Sequence, residues 1–90
     1  MMTNTMTGQL TVHVLFFGAC REIVQADEIV CELTAPATVT AAWEAVKTRC
    51  PALAAFERSA LFAVNEEHAP RTQSLQTGDV LAIFPPVSGG

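Results

Sequence analysis

The sequence has one segment of helical hydrophobic periodicity set among segments that alternate like β-strands, and this pattern constrains the fold more than any other feature. In LTVHVLFF (10–17), the period of two puts Val12, Val14 and Phe16 on one face of a strand. EIVCEL (28–33) predicts a second strand, and the short GACREIVQAD between them, predicted as a turn or one short helical turn, favours an antiparallel pair. Two further strands are predicted after a long interval: LFAVN (61–65) and VLAIF (80–84), separated by a polar connector (66–79).

The segment APATVTAAWEAVKTRCP (35–51) predicts the main helix. Its apolar residues recur at helical spacing and form one stripe: Val39, Trp43, Val46 and Cys50. Thr38 is the predicted N-cap and Pro51 the predicted stop. A helix of about 12 residues is roughly 18 Å long, enough to cover one face of a small sheet. The order β-β-α-β-β therefore predicts an α+β domain with two layers.

A single helix covers only one face of the sheet, so the opposite face is predicted to be open to solvent. Strand alternation puts four apolar residues on that open face: Leu15, Phe17, Ala82 and Phe84. Monomeric proteins seldom expose a contiguous apolar area without a reason, so these residues predict a docking patch for a partner. The alternatives are an error in the phase of the alternation and a second layer of structure over this face.

Composition and charge exclude several classes of function. Half of the residues are apolar and 16% are charged, as expected for a chain that folds. The formal net charge is −4 and the five basic residues are scattered, so nucleic acid is not an expected partner. The longest apolar runs, such as VLFFGAC, are too short to span a membrane. The polar start MMTNTMTGQ lacks the features of a signal peptide, so the cytoplasm is the expected compartment.

The pattern predicts a single domain over 10–86, preceded by a flexible leader (1–9) and followed by a flexible tail (87–90). Three cysteines, Cys20, Cys31 and Cys50, lack the Cys-x-x-Cys spacing of zinc or redox sites and are predicted to be free thiols, mostly buried. No metal site and no catalytic residue is predicted, since neither histidine lies near a cysteine in sequence and no paired carboxylate or triad is recognisable.

The sequence ends in FPPVSGG. Pro85 and Pro86 have a fixed φ and no amide hydrogen, so strand pairing must stop there and the chain leaves the sheet as a stiff extension. The residues beyond them can reach about 14 Å when extended: Val87, Ser88, Gly89 and Gly90. Because glycine has no Cβ, such a tip can pass through a narrow opening. The segment from Pro85 to Gly89 is therefore predicted to insert into a cleft of a partner.

Three stretches, VLFFGACRE, AVNEE and GDVLAIFPPVSGG, closely resemble the small, sulfur-carrying subunit of molybdopterin synthase, a β-grasp protein of ubiquitin-like fold. The resemblance covers nearly everything from Leu10 to Gly90. It implies a mixed sheet with one main helix, and a non-catalytic sulfur-donor subunit whose catalytic groups lie on partner enzymes. It also implies that Phe17 and Phe84 contact those partners, in agreement with the open face described above.

The resemblance implies a specific role for Gly90 as a covalent carrier. An E1-like adenylyltransferase would use ATP to adenylate the Gly90 carboxylate, and a sulfur donor would convert the acyl-adenylate to a thiocarboxylate. The tail would then enter the large catalytic subunit and give its sulfur to cyclic pyranopterin monophosphate, forming the dithiolene of molybdopterin. The implied assembly is a heterotetramer of two small subunits on a large-subunit dimer, with no cofactor bound to the small subunit.

Three alternatives stay open at the level of sequence. A sulfur carrier for thiamin or for a thiolated tRNA base would share the fold and the Gly-Gly tip. A ubiquitin-like modifier would transfer the activated glycine to a lysine of a target protein. A plain binding module would have no tail chemistry, and only the tail distinguishes it from the others.

Overall fold

A computed structural model of the chain describes residues 8–86. The longer strands are β1 (Gln9–Phe16), β2 (Glu28–Thr34), β4 (Leu61–Val64) and β7 (Val80–Phe84). The helices are α1 (Gly18–Val24), α2 (Val39–Arg49) and a 3₁₀ helix (Pro51–Phe56). Three two-residue strands complete the described elements: β3 (Ala37–Thr38), β5 (Glu67–His68) and β6 (Ser74–Leu75).

The main sheet has five strands in the order β2-β1-β7-β4-β5, and β3 pairs with β6 in a separate two-stranded ladder. β1 and β7 lie side by side in parallel, whereas β1–β2, β4–β7 and β4–β5 are antiparallel. The antiparallel β1–β2 pair and the four longer strands are as the sequence pattern predicts. The α+β class with a mixed sheet and one main helix is therefore confirmed.

The core lies between the sheet and α2. Val12, Val14 and Phe16 point into it from β1, as their alternation predicts, and are all fully or almost fully buried. From α2, Trp43 packs edge-on against Phe62 of β4, with ring centroids 5.6 Å apart. Apolar side chains from both layers thus close the core on one side of the sheet.

The helical stripe is confirmed for its first three positions, since Val39, Trp43 and Val46 are buried, whereas Cys50 is only half-buried at the C-cap. Thr38 is the N-cap residue, but its side chain makes no capping hydrogen bond. Instead, two N–H groups of the first turn donate to carbonyls of the connector, from Val39 to Gln73 (2.9 Å) and from Thr40 to Arg71 (3.0 Å). Carbonyl groups of the connector therefore accept the hydrogen bonds of backbone N–H groups at the start of α2, a role that a capping side chain would otherwise have.

Several details differ from the expectations drawn from the pattern. β1 begins at Gln9, which pairs with Thr34, so Gln9 belongs to the sheet although it is predicted as the last residue of the leader (1–9). The segment after β1, predicted as a turn or one short helical turn, forms a seven-residue helix and is therefore longer than expected. The connector contains β5 and β6, whose two-residue pairings depend on backbone geometry and leave no alternation to detect. No helix among residues 8–86 is both long and apolar enough to cross a membrane.

A polar cluster around Glu57 ties α2, the 3₁₀ helix and the connector together. The Glu57 carboxylate accepts hydrogen bonds from Trp43 Nε1 (2.8 Å), Lys47 Nζ (2.5 Å) and Arg71 Nη1 (3.2 Å), and Arg71 also donates to the Glu57 carbonyl. The Lys47 and Trp43 hydrogen bonds lower the pKa of Glu57 from 4.5 to about 2. The hydrogen bond to Glu57 also raises the pKa of Lys47. The folded state therefore favours the ionised forms of both side chains.

This cluster predicts an acid-sensitive contribution to stability. Because the pKa of Glu57 is lower in the folded state, its contribution is present above pH 4.5 and is lost as the pH falls toward about 2. We expect Glu57→Gln to lower the midpoint of thermal unfolding at pH 7, and the difference from wild type to shrink through this range. Thermal melts followed by circular dichroism measure the unfolding midpoints. Glu44→Gln is the control, because Glu44 contacts only Lys47 of the cluster. A difference in unfolding midpoint that does not change with pH would contradict the stabilising role assigned to ionised Glu57.

Candidate functional site

The four residues predicted to share the open face of the sheet are brought together in the structure. We call Leu15, Phe17, Ala82 and Phe84 the outer patch. Leu15 lies opposite Ala82 in the parallel β1–β7 ladder, and all four line one shallow depression. The other lining residues come from β4, from β7 and from the turn after β4: Ala63, Asn65, Glu66 and Val80.

The aromatic rings of the outer patch stack on each other. Phe17 and Phe84 have ring centroids 4.8 Å apart and an interplanar angle of 10°. Phe17 follows the last residue of β1 and stays extended, and its N–H donates to the Ile83 carbonyl (3.2 Å), which continues the pairing with β7. The stack leaves 41% of Phe17 exposed. A large apolar surface is thus held in a defined position on the outside of the sheet.

Ala82 differs from the expectation that it is open to solvent. Only 9% of this residue is exposed, because Leu15 and Ala63 flank it in the neighbouring strands. Ala82 forms the floor of the depression, while Leu15 and Phe84 are half-buried at its sides. The outer patch is therefore a shallow cup with an aromatic side rather than a flat apolar face.

The base of the tail is packed against the start of α1. Gly18 has a φ of +56°, and a Cβ at this position would lie 2.8 Å from Cγ of Pro85. Glycine therefore permits both the left-handed backbone and the close approach of the proline ring. Pro85 is half-buried and Pro86 is exposed. The chain leaves β7 directly beside the stacked rings, in a path restricted by the two proline rings.

The remaining predicted site residues, Val87, Ser88, Gly89 and Gly90, lie outside the described residues. Their roles as tail and as covalent carrier stay predictions. The same holds for the part of the leader before Gly8.

The three cysteines of the chain all lie within the described residues. Burial raises the pKa values of Cys20 and Cys31, so their thiols stay protonated near neutral pH. All three cysteines are free. Between residues 8 and 86, no three side chains of His, Cys, Asp or Glu are grouped so that they could hold a metal ion.

Sequence reasoning missed Ala63, Asn65, Glu66 and Val80 as members of the site. Ala63 and Val80 follow from the same strand alternation as Leu15 and Ala82 once the register of β4 and β7 is known. Asn65 and Glu66 lie in the turn after β4, where alternation carries no information. Asn65 is a residue type common in turns, but this does not predict the position of the turn beside the outer patch.

Comparison with known proteins gives consistent matches over nearly the whole chain. The ThiS family model matches residues 14–90. The molybdopterin synthase sulfur carrier subunit of Homo sapiens is 32% identical over 82 residues, covering 88% of this chain and 93% of the relative. The subunit of the same name from Haemophilus influenzae is 38% identical over 81 residues, covering 88% and 99%.

Solved structures agree on the architecture. The crystal structure of SAMP1 from Haloferax volcanii superposes with a TM-score of 0.80 at 27% identity, covering 89% of this chain and 99% of that one. A chain of the complex of subunits 1 and 2 of molybdopterin-converting factor from Helicobacter pylori has a TM-score of 0.64 at 22% identity, covering 90% and 100%. At 22% identity, the second likeness concerns the fold alone.

These matches identify the domain as a small β-grasp protein of ubiquitin-like fold with an exposed apolar cup beside its last strand. The chain belongs to the ThiS family, and its curated relatives are molybdopterin synthase sulfur carrier subunits. The resemblance seen in VLFFGACRE and in the FPPVSGG ending is thereby confirmed.

Adjacent phenylalanines on opposite faces of the sheet provide a test of this geometry. Phe16 is 1% exposed in the core, whereas Phe17 is 41% exposed on the outer patch. We expect Phe16→Ala to lower the free energy of unfolding by about 3–5 kcal/mol, because it empties a core position. Phe17→Ala should lower it by about 1 kcal/mol, mainly through loss of the aromatic stack. Urea denaturation measures both values, and equal losses would contradict the assignment of the two faces.

Proposed function

We propose that this protein is the sulfur carrier of a molybdopterin synthase and that its Gly90 carboxylate is the group that carries sulfur. An E1-like adenylyltransferase activates Gly90 with ATP, and a sulfur donor converts the adenylate to a thiocarboxylate. The large catalytic subunit then receives the tail and transfers the sulfur to cyclic pyranopterin monophosphate. In this scheme the chain contributes no catalytic side chain and works in the cytoplasm.

The observation that carries the proposal is the position of the tail base relative to the outer patch. Phe84 belongs to the patch, and Pro85 follows it in the chain and packs against Gly18. A partner that covers the patch therefore has the start of the tail at its own surface. The four residues beyond Pro86 can span about 14 Å when extended, which is enough to reach into a cleft of that partner.

The chemistry of the tail explains why activation precedes sulfur transfer. A carboxylate resists attack at its carbonyl carbon because it is electron-rich and would have to expel oxide. In the acyl-adenylate, AMP is the leaving group, so a sulfur nucleophile can displace it and form the C–S bond of the thiocarboxylate. The raised pKa values of Cys20 and Cys31 agree with a scaffold that keeps its own thiols out of this chemistry.

The partners in the proposal are the large subunit, the adenylyltransferase and the sulfur donor. The curated relatives at 32% and 38% identity are named as sulfur carrier subunits of molybdopterin synthase, which supports assembly with a further subunit of that enzyme. We propose a heterotetramer of two small subunits on a large-subunit dimer. The outer patch is the docking surface that this assembly needs on the small subunit.

The tail chemistry can be tested by intact-mass spectrometry. Incubation with the cognate adenylyltransferase, ATP and a sulfur source should increase the mass by one oxygen-to-sulfur exchange, located at Gly90 by fragmentation. Deletion of Gly90 should abolish the exchange and leave the unfolding midpoint unchanged, because the described core ends before the tail. An unchanged wild-type mass beside an active control carrier would exclude the sulfur-carrier function. Unfolding of the deletion variant would instead indicate a structural role for the tail.

The docking surface can be tested with Phe84→Arg. Burial of an unpaired guanidinium in an apolar contact should weaken binding to the large subunit at least tenfold. Isothermal titration calorimetry measures the affinity, and a melt of the free variant checks that it remains folded. Phe56→Arg is a matched control, because Phe56 is half-buried in the 3₁₀ helix on the helix layer and away from the outer patch. Undiminished binding of Phe84→Arg would exclude this face from the interface.

A second candidate function is protein modification. SAMP1 is a small archaeal modifier protein, and its structure is similar to this chain over 89% of the length. A modifier would form an isopeptide bond between the activated glycine and a lysine of a target. Activation in a lysate, followed by denaturing gels and peptide mass spectrometry, distinguishes the two functions. Adducts ending in Gly-Gly on lysines would favour modification, whereas a thiocarboxylate without adducts favours sulfur transfer.

A further inference from the structure

Glu66 has a backbone conformation that glycine adopts readily and glutamate seldom does. It forms with Asn65 the two-residue turn that joins β4 to β5, and the two residues have φ values of 51° and 72°. Turns with positive φ at both central positions prefer Asn followed by Gly. Asn65 suits its position, since its N–H donates to the Val80 carbonyl (2.8 Å) and its side-chain oxygen accepts from Val80 N–H (3.0 Å). By its geometry alone, the turn favours glycine at position 66.

Glu66 lies at the edge of the outer patch. It is exposed and lines the same depression as Phe17 and Phe84. At the opposite edge, Glu28 lies across the β1–β2 ladder from Leu15, and its carboxylate contacts His13 Nδ1 at 2.8 Å. The apolar cup therefore has a carboxylate on each side.

The basic side chains are placed differently. Lys47 and Arg71 contact Glu57 on the helix layer, and Arg49 belongs to α2. Arg58 follows the 3₁₀ helix. Arg21 lies near Leu15 and Phe17 but forms an ion pair with Asp27. Four of the five basic residues thus lie on the helix layer, and the fifth, Arg21, lies beside the outer patch in an ion pair with Asp27. Carboxylates therefore outnumber lysine and arginine side chains around the patch, which gives it a negative rim.

From this arrangement, and resting on the proposed function, we propose that Glu66 is a specificity-determining contact of the docking surface. It faces a lysine or arginine at the edge of the apolar surface that the large subunit offers to the outer patch. A charge at the rim of an apolar contact acts mainly on the association rate, through attraction that operates before the surfaces meet. A second copy of this chain suits the patch poorly, because it would bring two negative rims together.

The test is the association rate constant with the large subunit, measured by stopped-flow at about 0.05 M and about 0.5 M ionic strength. Glu66→Gln keeps the backbone constraint and removes the charge, so it should slow association about threefold at the lower ionic strength. Glu66→Lys should slow it about tenfold. Both variants should approach the wild-type rate at the higher ionic strength, where exposed charges are screened.

Two further variants separate the role of the charge from other effects. Glu44→Gln changes the net charge equally but lies on α2, so it should leave the association rate unchanged. Glu66→Gly should slow association like Glu66→Gln while raising the unfolding midpoint of the free protein by about 4 °C, because it removes the unfavourable backbone conformation. A lower midpoint for Glu66→Gly would show that the glutamate supports the turn and would overturn the inference.

The outcomes distinguish this inference from the proposed function. One outcome is that the wild-type protein binds the large subunit and transfers sulfur normally, while wild type and Glu66→Gln have equal association rates. This outcome would overturn the role of Glu66 and leave the carrier function intact. Absence of wild-type binding to the large subunit would overturn both. Dimers of the free chain in sedimentation velocity, dissociated by Phe84→Arg, would assign the patch to self-association and overturn the inference as well.

Discussion

The parallel pairing of β1 with β7 is the interaction on which the rest of the structure depends. These strands come from opposite ends of the described chain, and their register sets Leu15 against Ala82 and Phe16 against Ile83. The N–H of Phe17 continues the ladder to Ile83, which brings the Phe17 and Phe84 rings into a stack. One strand pairing thus creates the centre of the sheet, the aromatic side of the outer patch and the exit path of the tail.

The two faces of the sheet have separate physical roles. On the inner face, side chains such as Val14 and Trp43 are fully buried, and close packing makes this layer intolerant of changes in volume. The outer patch contributes less to the free energy of folding because its rings remain partly exposed. The residues of such a face can therefore be selected for binding a partner rather than for stability. Glu66 fits this division, since the turn imposes a backbone conformation that is unfavourable for glutamate, and the Glu66 charge lies beside the patch.

In the proposed mechanism, the reactive group is the Gly90 carboxylate, which is separate in the chain from the polar side chains that stabilise the fold. Glu57 holds Trp43, Lys47 and Arg71 together on the helix layer, where its low pKa reflects ion pairing and hydrogen bonding within the fold. The buried thiols stay protonated. A carrier whose carboxylate is modified in turn by several enzymes benefits from a scaffold that remains inert during each step. In the proposed mechanism, the proline-restricted exit beside the patch gives every partner the same direction of approach to the tail.

Much of this architecture was determined by the sequence alone. The period-two alternation identified the four longer strands and the shared face of Leu15, Phe17, Ala82 and Phe84, because it is a property of each strand by itself. Alternation could not detect β5 and β6, the flanking of Ala82 by Leu15 and Ala63, or the position of Glu66 at the rim. Those features depend on the register between strands far apart in the chain. Local periodicity therefore determined which side chains share a face, and only the tertiary pairing decided which of them touch.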